Sequence, residues 1–225
     1  MKVSDVIAPV ARGVALGLLL VSADAWSQGT GGSGPLQFLA LDDLHTLLPS
    51  STHLMVHPAS VEQFLIELDV SPPDWAMVYG HGHHDPGHDD RLFELNRERD
   101  AKRAGRPALS KRLAFCWTGE LSQFNPQIEG FPVALGPKFM KTGWGMVRFK
   151  PEEAPGNLSV TTDLAHRQQF QRQLDQGQTV EIEVVMTGVL IPDESIVYDF
   201  SHDEEGLGLI MPFVRVERVD FVMKP

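Results

Sequence analysis

From Leu113 onward the chain changes from helical to strand-like texture, and that change restricts the fold more than any other feature. Two stretches are the most legible. In Val180 to Leu190, Ile182, Val184 and Met186 alternate with Glu181, Glu183 and Val185, so the strand starts half buried and becomes apolar on both sides. In Met211 to Val222, Val214 and Val216 share one phase while Val219 and Phe221 share the opposite one. A period of two reverses only when a residue is inserted, so the pattern predicts a β-bulge near Glu217-Arg218. A bulge also bends a strand, as a small closed barrel requires. Further strands are predicted at Leu113 to Leu121, Pro132 to Phe139, Gly143 to Lys150 and Leu158 to Thr162. One helix is predicted from Asp163 to Gln176, capped by Asp163, with Leu164, Phe170 and Leu174 inward.

Taking Pro132 to Phe139 and Gly143 to Lys150 as one kinked strand gives the order strand-strand-strand-helix-strand-strand. Over Leu113 to Val222 this order resembles the five-stranded OB-fold barrel, whose helix lies between its third and fourth strands. The resemblance is one of element order, and it implies an α+β protein with an OB-like five-stranded β-barrel at residues 111–225. The connection Ile191 to Gly208 then corresponds to the loop between strands four and five, which OB-folds commonly use in binding.

Residues 36–110 read as a small helical N-terminal region. Asp42-Asp43 open a short helix that ends before Pro49, and Ser60 is placed to cap Val61 to Leu68. Trp75 to Tyr79 is a short apolar strand candidate. A third helix runs from Asp89-Asp90 to about Ala104, with Leu92, Phe93 and Leu95 on its apolar side. Its later turns, Arg97 to Arg103, read as a solvated face on which Glu98–Lys102 attract and Arg99–Arg103 repel.

Met1 to Ala25 has the layout of a secretory signal peptide: Lys2 and Arg12, an apolar run centred on Leu18 to Val21, and small residues at Val21-Ser22-Ala23 and Ala23-Asp24-Ala25. Residues 26–35, rich in Gly and Ser, read as a flexible leader. The expectation is a soluble, exported protein, periplasmic or extracellular, with no membrane insertion after cleavage. Its net charge of -11 disfavours nucleic acid and anionic lipid as partners. Cys116, the single cysteine, lies in an apolar run and reads as an inert buried thiol.

Two polar constellations stand out. Four of the nine histidines fall between His81 and His88, beside Asp85, Asp89 and Asp90. Imidazole and carboxylate are the usual ligands of zinc or another divalent metal, so His81, His83, Asp85 and His88 form a candidate metal set. His81-x-His83-x-Asp85 also resembles the start of the HxHxDH motif of the metallo-β-lactamase fold, with Pro86 where the last histidine stands. That resemblance implies metal-dependent hydrolysis. Against a metal, the cluster precedes a helix N-terminus, whose partial positive charge repels cations. The second constellation is an acidic excursion with Asp193, Glu194, Asp199, His202, Asp203 and Glu204 as a candidate ligand or partner loop, in which Ser195 to Phe200 alternates like a strand. The functional expectation is a non-enzymatic binding or accessory protein whose partner is a protein or small ligand of the cell envelope. The alternatives are a metal-dependent hydrolase using the His81 to Asp90 cluster, or a structural component of an envelope assembly.

Overall fold

A computed structural model describes residues 32–81, 85–192, 194–201 and 207–225. The fold is mixed α+β, built on a closed barrel of six strands. These are β1 (Ser33–Phe38), β3 (Arg112–Leu121), β4 (Phe131–Gly136), β8 (Ser159–Thr161), β9 (Glu181–Leu190) and β11 (Gly208–Met223). They pair in the ring β1-β8-β4-β3-β9-β11, and β11 returns to β1 through Leu36↔Phe221, Gln37↔Val222 and Phe38↔Met223. The short strand β2 (Thr52–Leu54) runs parallel along β3, and β10 (Ile196–Phe200) makes an antiparallel pair with the start of β11. Three short strands, β5 (Met140–Thr142), β6 (Gly145–Val147) and β7 (Lys150–Pro151), lie around the same part of β11.

Three sequence expectations are corrected here. The barrel has six ring strands, not five, because the closing strand β1 starts inside the expected leader: Ser33-Gly34-Pro35 pair with Ser159-Val160-Thr161. Leu36 supplies an inward apolar side chain that the Gly-Ser composition before it concealed. The region 132–150 is not one kinked strand but four short ones, because Gly145, at φ 136°, turns β5 back onto β6. Trp75–Tyr79 is a helix (α2), not a strand. Asp74 caps it by accepting from the Met77 amide at 3.0 Å, and a five-residue apolar run carries no decisive period.

The interior follows the alternation of the strands. Leu113, Phe115 and Leu121 of β3, Ile182, Val184 and Met186 of β9, and Val214 and Phe221 of β11 meet Leu36, Phe131 and Val160 in the main core. On the outer face Ala114, Cys116, Val185 and Val222 lie under Leu44 and Leu48, from a 3-10 turn (Leu41–Thr46) and the residues after it. Strands β3 and β9 are therefore covered on both faces. The bulge occurs as expected: Val216 faces Gly188 and Arg218 faces Thr187, so Glu217 is the inserted residue and the inward phase passes from Val214 to Val219 and Phe221.

Helix α1 (Pro58–Asp69) drives Val61, Phe64, Leu65 and Leu68 into the main core. His57, not Ser60, is its N-cap residue, because Pro58 starts the helix three residues early; the Ser60 hydroxyl donates to the His57 carbonyl at 2.9 Å. Helix α3 (His88–Arg103) crosses α1 and β10. Helix α4 (Leu164–Asp175) is capped by Asp163, which accepts from the His166 amide at 2.9 Å. Phe170 is buried, but Leu164 is exposed: six residues before Phe170, it points about 120° away around the helix.

Candidate functional site

A cleft of about 780 Å³ lies on the helical side of the molecule between the end of α1, α2 and α3. Its apolar walls include Val70, Met77, Val78 and Leu95. Val70 and Met77, which line it, are 63% and 67% exposed, so the cleft offers open apolar surface. Asp74, Asp90, Glu98, Arg99, Lys102 and Arg106 contribute polar lining.

The wall at Val70 is strained and held. Val70 ends α1 at φ 70°, ψ -46°, a region that a β-branched residue rarely adopts. Arg99 Nη1 donates to the carbonyls on either side of it, Asp69 O at 3.2 Å and Ser71 O at 2.7 Å. One guanidinium from α3 therefore fixes the backbone that turns Val70 into the cleft. Such strain persists only where surrounding contacts over-determine it, and it concentrates at functional sites.

Beneath this wall lies a buried polar cluster. Arg103 Nε and Nη2 donate to the two carboxylate oxygens of Asp69, each at 2.8 Å, and Arg103 Nη1 reaches Asp100 at 2.7 Å and the Ile196 carbonyl at 2.9 Å. The Tyr198 hydroxyl donates a short hydrogen bond to Asp69. The Arg103 and Asp69 side chains are 1% and 0% exposed. Burial opposes the Arg103 charge, but the Asp69 carboxylate outweighs it, so the guanidinium pKa lies above its ordinary value. Burial, reinforced by the Asp69 charge, pushes the Tyr198 phenol up. Asn96 completes the junction: it donates to Tyr198 O at 2.9 Å and accepts from Tyr198 N at 2.8 Å. These bonds clamp α1, α3 and β10 together and set the shape of the cleft above them.

Arg99 and Arg103 therefore do not form the solvated face read from the charge run. Asn96, Arg99 and Arg103 recur at helical spacing and face Tyr198 and Asp69. The signal was the spacing of polar residues, which a hydrophobic template does not register. Glu98 and Lys102 do form an exposed pair.

Of the candidate metal residues, His83 lies outside the described residues. Asp85 has a different occupation: it accepts from the His81 amide at 3.2 Å, the Gly87 amide at 2.9 Å and Arg91 Nη2 at 2.9 Å. The Gly87 amide, then Arg91 and the His81 amide, hold its carboxyl well below the usual range. The loop is thus closed by Asp85 onto the first turn of α3, and a metal at Asp85 would compete with Arg91. His88 Nδ1 lies 2.6 Å from the Asp85 carbonyl, and its ring packs on Phe200 at 5.0 Å. His81 is exposed. Among the described residues no three His, Cys, Asp or Glu side chains converge as a metal set.

Of the acidic excursion, Asp193, His202, Asp203 and Glu204 lie outside the described residues. Glu194 is exposed, and Asp199 accepts from the Phe200 amide at 2.8 Å. The excursion does form a strand, β10, with Ile196, Tyr198 and Phe200 buried. The structure brings the two constellations together: Tyr79 donates to Leu207 O at 2.6 Å, and both Tyr79 and His88 pack on Phe200.

No protein-family model, curated protein or solved structure matches the chain. No helix among the described residues is long and apolar enough to cross a membrane.

Proposed function

We propose that the protein is an exported binding or accessory protein that takes a small ligand with an apolar body in the cleft between α1, α2 and α3. One observation carries the reading: a cleft of about 780 Å³ whose walls expose Val70 and Met77 over a buried, fully clamped polar base. That volume falls within the usual range of ligand pockets, which are mostly apolar with a few oriented polar groups. The charged groups beneath and beside it hold structure: Asp69 holds Arg103, Arg99 holds the Val70 backbone, and Asp74 caps α2. They shape the site without being spent on the ligand. Export rests on the layout of residues 1–25. The OB-like comparison contributes only the position of α4 between β8 and β9 and the long connection from β9 to β11.

The test uses anilinonaphthalene sulfonate as an apolar probe with the intact protein. Saturable one-site fluorescence enhancement is expected below the unfolding transition. Met77→Glu, at an exposed position, should weaken it about tenfold, which is the loss of roughly one buried apolar side chain's contribution. A probe that does not saturate, or that binds Met77→Glu as it binds the parent, would refute the cleft as the binding site.

A further inference from the structure

A second recess of about 380 Å³ lies on the outer face of the barrel, at the bulge of β11. Pro49, Arg112, Thr187, Glu217 and Arg218 line it, so it shares no residue with the helical cleft. Its chemistry is two guanidiniums, one hydroxyl and one carboxylate.

Two lining groups point to a missing acceptor. Thr187 is 2% exposed, and its hydroxyl has no hydrogen-bond partner among the described residues. Arg112 Nε is buried and likewise without one. The hydroxyl of Thr52, which pairs with Arg112 in the β2–β3 register, is in the same condition. Buried polar groups are nearly always satisfied, so three such atoms at neighbouring ladder positions require an explanation.

The bulge builds the recess. Insertion of Glu217 turns Arg218 to face Thr187, and Gly188 allows the close approach of β11: a Cβ there would lie 2.0 Å from the Arg215 carbonyl. Asp220 holds Arg218 through two bonds of 2.7 Å. Glu217 sits against Arg112, with its carboxylate 2.9 Å from Nη2, at a half-exposed position from which it can swing to solvent. A carboxylate of the chain itself thus marks where an oxyanion would rest.

We propose that this recess binds a small organic anion whose carboxylate or phosphate head docks between Arg112 and Arg218. The head accepts from Arg112 Nε and from the Thr187 hydroxyl, and Glu217 leaves Arg112 as it enters. Guanidinium forks suit both oxyanions, and the recess leaves room for a short organic body beyond the head.

The test is calorimetric titration of the intact protein with succinate and, separately, with inorganic phosphate, at constant ionic strength set with sodium chloride. Saturable binding of at least one probe is expected, and the one that binds names the head group. Glu217→Gln should tighten binding about threefold by removing the internal competitor. Thr187→Val should weaken it about fivefold. The same variant should leave the melting temperature of the ligand-free protein unchanged or higher, since the hydroxyl it removes has no partner among the described residues; a merely structural threonine would not show that split. Arg218→Gln, at a half-exposed side chain, should weaken binding without disturbing the packing around Thr187. Failure of both probes to saturate below about 10 mM, or wild-type affinity in both Thr187→Val and Arg218→Gln, would overturn the proposal.

Discussion

Arg103→Met tests whether the buried cluster holds the helices to the barrel. The substitution removes four hydrogen bonds: two to Asp69, one to Asp100 and one to the Ile196 carbonyl. Asp100 is 46% exposed and returns to water at little cost. Asp69 cannot, because its side chain is fully buried and, among the described residues, keeps only the Tyr198 hydroxyl and the distant Arg99, 3.9 Å away. Breaking a buried pair from one side costs about 3–5 kcal/mol. For a domain of this size that corresponds to a fall in melting temperature of about 6–20 °C. The assay is urea unfolding followed by tryptophan fluorescence, with the slope checked for constancy. Most of the cost is the stranded carboxylate, not the lost attraction. A triple variant, Asp69→Leu, Arg103→Met and Tyr198→Phe, should therefore recover at least half of the loss. A single variant that loses less than about 1 kcal/mol, or a triple variant no better than the single, would refute this account.

Three further outcomes are expected. Asp85 has a depressed carboxyl pKa in the fold, so its contribution to stability is present above the unfolded carboxylate value near pH 4 and is lost as pH falls toward its folded value. Asp85→Asn should flatten the decline of the urea midpoint between about pH 4 and pH 2, and an unchanged decline would exclude Asp85 as a source of it. Burial pushes the Cys116 thiol up to about 12, so the native protein should stay unlabelled by a thiol reagent at pH 8 for as long as the urea-unfolded chain takes to react fully. Gly208→Ala would place a Cβ 1.9 Å from the Trp75 ring and displace the indole from its 2.6 Å hydrogen bond to the Trp144 carbonyl. It should cost about 1–3 kcal/mol and change the native tryptophan emission, and wild-type emission would show that the ring is not wedged there.

The sequence was most legible where one face of a strand is wet and the other dry. Alternation located β9, and the phase reversal placed the bulge near Glu217-Arg218, where the register shifts. It was least legible where polar groups do the packing. Arg103 and Asp69 are charged and almost fully buried, and no scale of hydrophobicity registers a pair that satisfies itself 34 residues apart. Nor could the sequence show that β1 closes the barrel, because Ser33-Gly34-Pro35 read as linker and draw their order from a strand more than a hundred residues away. The acidic excursion was read correctly as a strand through Ile196, Tyr198 and Phe200, but its depth in the fold came from Asn96 and Arg103 on α3. In the histidine cluster, composition alone did not show that the Asp85 carboxylate accepts from Arg91 and from two amides of its own loop.

The pairing of β1 with both β8 and β11 has a consequence for how the chain matures. The seam at Leu36 to Phe38 waits for Phe221 to Met223, so the cylinder stays open until β11 is available. During synthesis β1 has neither ring neighbour until Ser159 to Thr161 follow it, and it has only β8 until the end of β11 follows. Final closure would then be a late, long-range event, and slow on the scale set by contact order.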